Sequence, residues 1–286
     1  MPSHAIDLRA RPPAGEFLSQ RMFASLDRAA AVLRRRGYDL PASIEFRSMP
    51  AFIDEMAAAG IGQAVVFARI ENDTVGGTSN ESVARFVKAS DGRFLGVGCV
   101  RMAGPEVTGD LDECERLGFA GVAVEPGLNE PPLVADDPSL YPIYEQIASM
   151  GLPAFITGGD ANPDISYASP VALDRMARDF PRLDVVAVHG GWPWVTETLG
   201  VAWRRPNVWV MPDLYWANMP GQADYTAAAN GYLRDRMLFA TSYPAVNIEQ
   251  YVAALRASNL SVSSWRAISQ ANPRRLLGGT AVGDQT

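Results

Sequence analysis

Short runs of Val, Ile, Leu, Phe and Ala alternate with amphipathic stretches from one end of the chain to the other. The apolar runs fall at residues 5–9, 64–68, 94–100, 121–125, 154–158, 184–188, 208–213 and 237–241. Most lack polar alternation, the pattern of parallel strands covered on both faces. Between them, spacing predicts helices over 17–36, 49–59, 80–89, 109–117, 139–150, 170–179, 194–203 and 225–234. Two more follow the last strand, near 248–258 and 263–277. Gly60, Gly118 and Gly151 each stand where a helix must end before a strand begins. Eight strand–helix units predict an α/β fold, a single (β/α)8 TIM barrel. An open doubly wound sheet competes, but no GxGxxG or phosphate-binding loop follows a strand.

The connection over 12–49 is longer than an ordinary strand-to-helix loop of about 2–6 residues. It predicts a helical insertion after strand one, folded over the barrel mouth. Arg34, Arg35 and Arg36 sit at its C-terminal end, where cations suit the helix dipole. Residues 127–137 form a second long loop. The barrel is expected to occupy 1–277, with the small polar stretch 278–286 as a flexible tail.

Composition narrows the function. At 286 residues, 48% hydrophobic and 20% charged, the chain can bury a large core unaided. A net charge of −7 argues against nucleic acid as a partner, because phosphate binding needs a basic footprint. No apolar run approaches the ~18 residues of a membrane span. Cys99 and Cys114 lack a CxxC spacing and read as reduced thiols. With a polar N-terminus, these features lead us to expect a cytoplasmic protein. We expect a homodimer whose partner is a small-molecule carboxylate.

Barrel enzymes carry their chemistry at the C-terminal ends of the strands. Those ends read Arg9 and Arg11, Arg69, Arg101, Glu125, Thr157, His189, Asp213, and Ser242 with Tyr243. One strand-end arginine is ordinarily an ion-pair residue, and Asp7, Glu71, Asp73 and Glu125 can neutralise several. Arginine at the first three strand ends nevertheless suits an anionic substrate, since its planar fork matches a carboxylate. Asp7, Arg9 and Arg11 share one strand parity and are expected on one face. His189 opens a His-Gly-Gly loop and is a candidate acid or base, with Asp213 to orient it or act as the base itself. Trp192, Trp194, Trp209, Tyr215 and Trp216 gather near strands six and seven, and one or two, Trp192 among them, are expected to wall the substrate. Ser242 has no readable His-Asp relay and is not expected to be a nucleophile. Only His4 and His189 exist, so no metal and no cofactor are expected.

Several blocks resemble the amidohydrolase-related family, which includes aminocarboxymuconate-semialdehyde decarboxylase, resorcylate-type decarboxylases and dicarboxylate lactonases. They are residues 137–145, 151–159, Phe180-Pro181, 188–194 (Val-His-Gly-Gly-Trp-Pro-Trp), 206–208 and 238–244 (Leu-Phe-Ala-Thr-Ser-Tyr-Pro). The opening Ile6-Asp7-Leu8-Arg9-Ala10-Arg11 is similar to the family's Asp-x-His-x-His start, with Arg at both His positions. The resemblance implies zinc or manganese held by those two His, a His where Thr157 stands, His189, and an Asp where Ser242 stands. Four of those five positions are substituted here. The fold therefore carries over and the metal chemistry does not. The expected function is a metal-independent hydrolase of a small carboxylated ester or lactone. Arginine would replace the metal as electrophile, His189 or Asp213 would serve as acid/base, and Arg69, Arg101, Glu125, Thr157, Trp192, Ser242 and Tyr243 would bind substrate. The alternatives are a metal-independent decarboxylase, lyase or isomerase, and a catalytically inactive binding protein or hetero-oligomer subunit.

Overall fold

Seven strands pair in chain order, every neighbour parallel: β1 (Ala5–Ala10), β2 (Ile61–Phe67), β3 (Phe94–Cys99), β4 (Val122–Val124), β5 (Ala154–Thr157), β6 (Val185–Val188) and β7 (Val208–Met211). The computed structural model describes residues 4–73 and 75–278. The sheet curls into a TIM barrel, but its eighth position corrects the expectation from sequence. Residues 237–241 are not a regular strand. They run between β7 and β1: Leu238 N donates to Val210 O at 2.9 Å, and Leu8 N to Phe239 O at 3.1 Å. Bridges at Val210–Met237 and Ala10–Tyr243 complete the closure. The remaining backbone groups of the segment bond elsewhere. Phe239 N donates to Ile268 O, Asn272 Nδ2 to Met237 O, and Thr241 N to the Asp7 carboxylate. Those partners leave no complete ladder.

The long β1–β2 connection is helical, as expected, but broken. A 3-10 turn (Gly15–Ser19) leads to α1 (Arg21–Ala24), α2 (Leu26–Arg35) and α3 (Ala42–Glu45), not to one helix over 17–36. Ser25 breaks the run by capping α2, its side chain accepting from Arg28 N at 3.3 Å. The outer layer continues with α4 (Met49–Ala58), α5 (Asn80–Lys88), α6 (Val107–Arg116), α7 (Tyr141–Ser149), α8 (Pro170–Asp179), α9 (Val195–Arg204), α10 (Gln222–Asn230) and α11 (Ile248–Ala257). The C-terminal helix expected over 263–277 is α12 (Val262–Arg266), a π-helical turn (Ala267–Ala271) and α13 (Asn272–Leu276). The tail expected at 278–286 lies almost wholly outside the described residues.

Two cores result from strands covered on both faces. Ile6, Leu8, Val65, Phe67, Phe155, Val186 and Met211 fill the barrel interior. Ala64, Val66, Phe94, Leu111, Ile143 and Tyr251 pack between strands and helices. Each fully buried large side chain contributes about 1.5–3 kcal/mol. Gly60, Gly118 and Gly151 adopt φ of +77°, +68° and +68°, which explains glycine at these helix ends.

Candidate active site

The site begins with an irregularity in β1. Its register pairs Asp7 with Ala64 and Ala10 with Val66, three steps on β1 against two on β2. The extra residue resets the alternation. Leu8 joins the interior core, and Arg9 turns inward as well, its guanidinium 5.6 Å from the Phe67 ring centroid. The single face expected for Asp7, Arg9 and Arg11 is therefore wrong for Asp7. Its oxygens are committed to Arg9 N at 3.0 Å, Thr241 N at 2.9 Å and Thr241 Oγ1 at 2.5 Å. Burial lifts its pKa to about 6, against the pull of those hydrogen bonds.

Arg9 is the hub of the mouth. Its Nη1 donates to Ser242 Oγ at 2.7 Å, lies 3.2 Å from His189 Nε2, and stands 3.6 Å from Asp213 Oδ2. Ser242 Oγ in turn donates to Asp213 Oδ2 at 2.8 Å, and His189 Nδ1 lies 2.8 Å from Asp213 Oδ1. A guanidinium can only donate, so His189 Nε2 accepts and its proton sits on Nδ1, facing Asp213. Burial lowers the His189 pKa, Asp213 opposes that, and Arg9 reinforces it. The imidazole is neutral at pH 7. His189, Asp213 and Ser242 all have left-handed backbones, with φ of +64°, +41° and +56°. Such positions cost about 1–3 kcal/mol each and cluster at functional sites. Here they turn three side chains from consecutive strand ends into one network.

The other sequence candidates separate. Arg69 donates twice to Glu125, at 2.9 and 2.7 Å, both side chains buried. Burial works to raise the Glu125 pKa, but Arg69, backed by Arg11 and Arg9, brings it down to about 2. Arg101 is half exposed and forked onto Asp110 of α6, at 2.9 and 2.5 Å. Thr157 is buried at the end of β5. Tyr243 leaves the cluster: it packs on Phe52 and Phe23 and donates to Ser43 Oγ in the helical layer. Trp192 stacks on Tyr215 with centroids 4.8 Å apart, and Tyr215 meets the His189 ring edge-on at 5.3 Å. Of the remaining aromatics, Trp209 bonds Asp184 and Trp216 bonds Thr226, both within the cores. A cavity of about 490 Å³ lies at the ends of β2 to β4, lined by Cys99, Arg101, Met102, Glu125 and Glu71 among others, and by none of Arg9, His189, Asp213 and Ser242.

Two residues near the mouth escaped sequence reasoning. Asp160 accepts from the Tyr215 hydroxyl, and Arg36 at the end of α2 reaches its other oxygen at 3.8 Å. Arg36 thus ties the insertion to the β5 loop. Its place in the Arg34–Arg36 run was visible; its partner was not.

The amidohydrolase family profile matches residues 6–282. The chain belongs to the amidohydrolase family. A TIM-barrel protein of uncharacterised function from Bordetella bronchiseptica is 40% identical, with 97% of this chain and 99% of that one covered and a TM-score of 0.92. The 2,6-dihydroxybenzoate decarboxylase from Rhizobium shares 18% identity and a TM-score of 0.69 over 96% and 98% of the chains. A probable 2-pyrone-4,6-dicarboxylic acid hydrolase from Acinetobacter baumannii shares 14%, with a TM-score of 0.57 over 81% and 89%. A search of curated proteins finds no match. At such identities the decarboxylase and the hydrolase speak for the fold alone.

Zinc or manganese, which the family resemblance implies, does not fit this amidohydrolase mouth. A divalent cation on His189 Nε2 would sit against the positive Arg9 guanidinium, 3.2 Å away, and both Asp213 oxygens are hydrogen-bonded. No three His, Cys, Asp or Glu side chains are grouped to hold a metal ion among the described residues. No helix among them is long and apolar enough to cross a membrane.

Proposed function

We propose that this amidohydrolase is a hydrolase that cleaves the ester or lactone bond of a small carboxylated substrate without a metal. One observation carries the reading: a neutral His189, its proton fixed on Nδ1 by Asp213, whose Nε2 lone pair faces Arg9 Nη1. That is a general base beside an electrophile.

Once Arg9 Nη1 turns from Nε2 to the carbonyl oxygen of the substrate, a water takes its place on Nε2 and gives up a proton there as its oxygen bonds to the carbonyl carbon. Arg9 donates to the oxygen that becomes negative. The tetrahedral intermediate then collapses, the carbon–oxygen bond to the leaving group breaks, and the proton on Nε2 passes to the departing oxygen. Asp213 steadies the imidazolium in between, and Ser242 keeps Arg9 and Asp213 in register. A guanidinium does not acidify water as a bound metal does. The substrate must therefore be intrinsically reactive, an enol lactone or activated ester and not an amide.

Decarboxylation is the second reading, and arginine would hold the carboxylate in it. It also needs a proton for the carbanion, and a neutral Nδ1–H imidazole has none on Nε2. A non-catalytic subunit has no use for an aligned base and electrophile. The test is a panel of carboxylated enol lactones and aryl esters offered to chelator-treated enzyme. Ring-opened or de-esterified product supports the reading; release of CO2 from hydroxybenzoates instead overturns it.

A further inference from the structure

Arg11 is a buried cation with unused hydrogen-bond donors among the described residues. It is 5% exposed, and neither Nε nor Nη2 meets a hydrogen-bond partner among the described residues. The carboxylates around it are committed. Glu125 gives both oxygens to Arg69, Asp213 divides its two between His189 and Ser242, and Asp7 serves Thr241 and Arg9 N. Arg9 also has a free Nε. Leaving a cation buried and unpaired is strongly unfavourable for a fold. Arg11 follows the inward-turned Arg9 by two residues, so their Cα atoms are roughly 7 Å apart. The Nε–Nη edge of arginine is planar and matches the two oxygens of one carboxylate. Arg69 and Arg9 act on Arg11 more strongly than Glu125 and Asp213 do, so its surroundings call for an anion.

We propose that the Nε–Nη2 edge of Arg11, beside the free Nε of Arg9, is a carboxylate subsite, and that the substrate is a small monocarboxylate whose scissile carbonyl lies a few bonds from that carboxylate. The subsite stands by itself; naming its occupant a substrate rests on the hydrolase reading above.

The test uses the full chain and three probes at matched ionic strength: acetate, acetamide and inorganic phosphate, read by thermal shift and calorimetry. Acetate is expected to bind saturably and raise Tm by several degrees, while acetamide and phosphate leave it unchanged. Arg11→Met is expected to remove the acetate response and, without acetate, to melt at or above the wild-type temperature. Arg11→Lys keeps a charge without the fork and is expected to weaken acetate about tenfold. The proposal is overturned if acetamide or phosphate matches acetate, or if Arg11→Met responds like wild type. Should Arg11→Met not fold, undiminished acetate affinity in Arg11→Lys overturns it equally. Acetate binding as described with no ester or lactone turned over would leave the subsite standing and remove the hydrolase reading.

Discussion

Arg9 Nη1 stands 3.2 Å from His189 Nε2, and of the two only the arginine has a proton to offer. This contact makes His189 an acceptor and assigns its own proton to Asp213. That is the protonation state the proposed hydrolase reaction needs of a general base.

The first consequence is a pH profile. Burial, reinforced by Arg9, lowers the His189 pKa below its ordinary 6.5. The base is active when neutral, so kcat/KM is expected to rise with pH through an apparent pKa under 6.5 and then level off. Measured on any substrate the lactone panel yields, a rate that falls across that window would assign His189 to acid catalysis.

Arg9→Lys tests the electrophile. Lysine keeps the charge but not the planar fork that reaches His189 and Ser242 together. Losing an oxyanion donor costs about 2.7–4 kcal/mol, or roughly 10²–10³-fold in rate. That loss is expected in kcat, with little change in Tm. Near-native kcat in Arg9→Lys would reduce Arg9 to a space-filling cation.

Ser242→Ala separates positioning from nucleophilic attack. The Ser242 proton goes to Asp213 and its oxygen accepts from Arg9, so the hydroxyl aligns two other groups. A drop of about tenfold in kcat is expected, in line with a lost hydrogen bond of about 0.5–1.5 kcal/mol. The KM should hold. Complete inactivation with trapping of an acyl-enzyme in the wild type would make Ser242 the nucleophile.

Much of this was legible beforehand, and the failures have physical causes. Apolar runs located β1 to β7 because strands buried on both faces leave that signature. The run at 237–241 looks the same, but Asp7, Asn272 and Ile268 take its backbone groups, and none of the three is near it in sequence. The β1 bulge left no trace, since Leu8-Arg9-Ala10 contains no Gly or Pro, and one slipped residue reverses the face of Asp7 relative to Arg9. The strand-end rule brought Arg9, His189, Asp213 and Ser242 to one list, and the structure brings their side chains into contact. Arginine partners were not legible: Arg101 turns to Asp110 and Arg69 to Glu125, while among the described residues Arg11 keeps two buried donors unused and Arg9 one.

Asp7 and His189 make opposite contributions to stability against pH. Asp7, raised to about 6, takes up a proton in the native state before the unfolded chain does, so it favours folding as pH falls from 7 towards 5. His189, lowered, is protonated first in the unfolded chain, so it opposes folding as pH falls below 6.5. Asp7→Asn removes the first effect and keeps the second. The variant is expected to lose stability more steeply than wild type between pH 7 and pH 5 in urea melts. Parallel curves would show that Asp7 does not titrate in that range.

The central claim, hydrolysis by His189 and Arg9 without a metal, is tested most directly by turnover in ¹⁸O-labelled water. The enzyme is stripped with a strong chelator, shown free of transition metal by elemental analysis, and given a carboxylated enol lactone. The account expects undiminished turnover, one ¹⁸O atom in the newly formed carboxylate and no CO2. Activity that vanishes on stripping and returns only with zinc or manganese, or a product that has lost CO2 and carries no label, would contradict it.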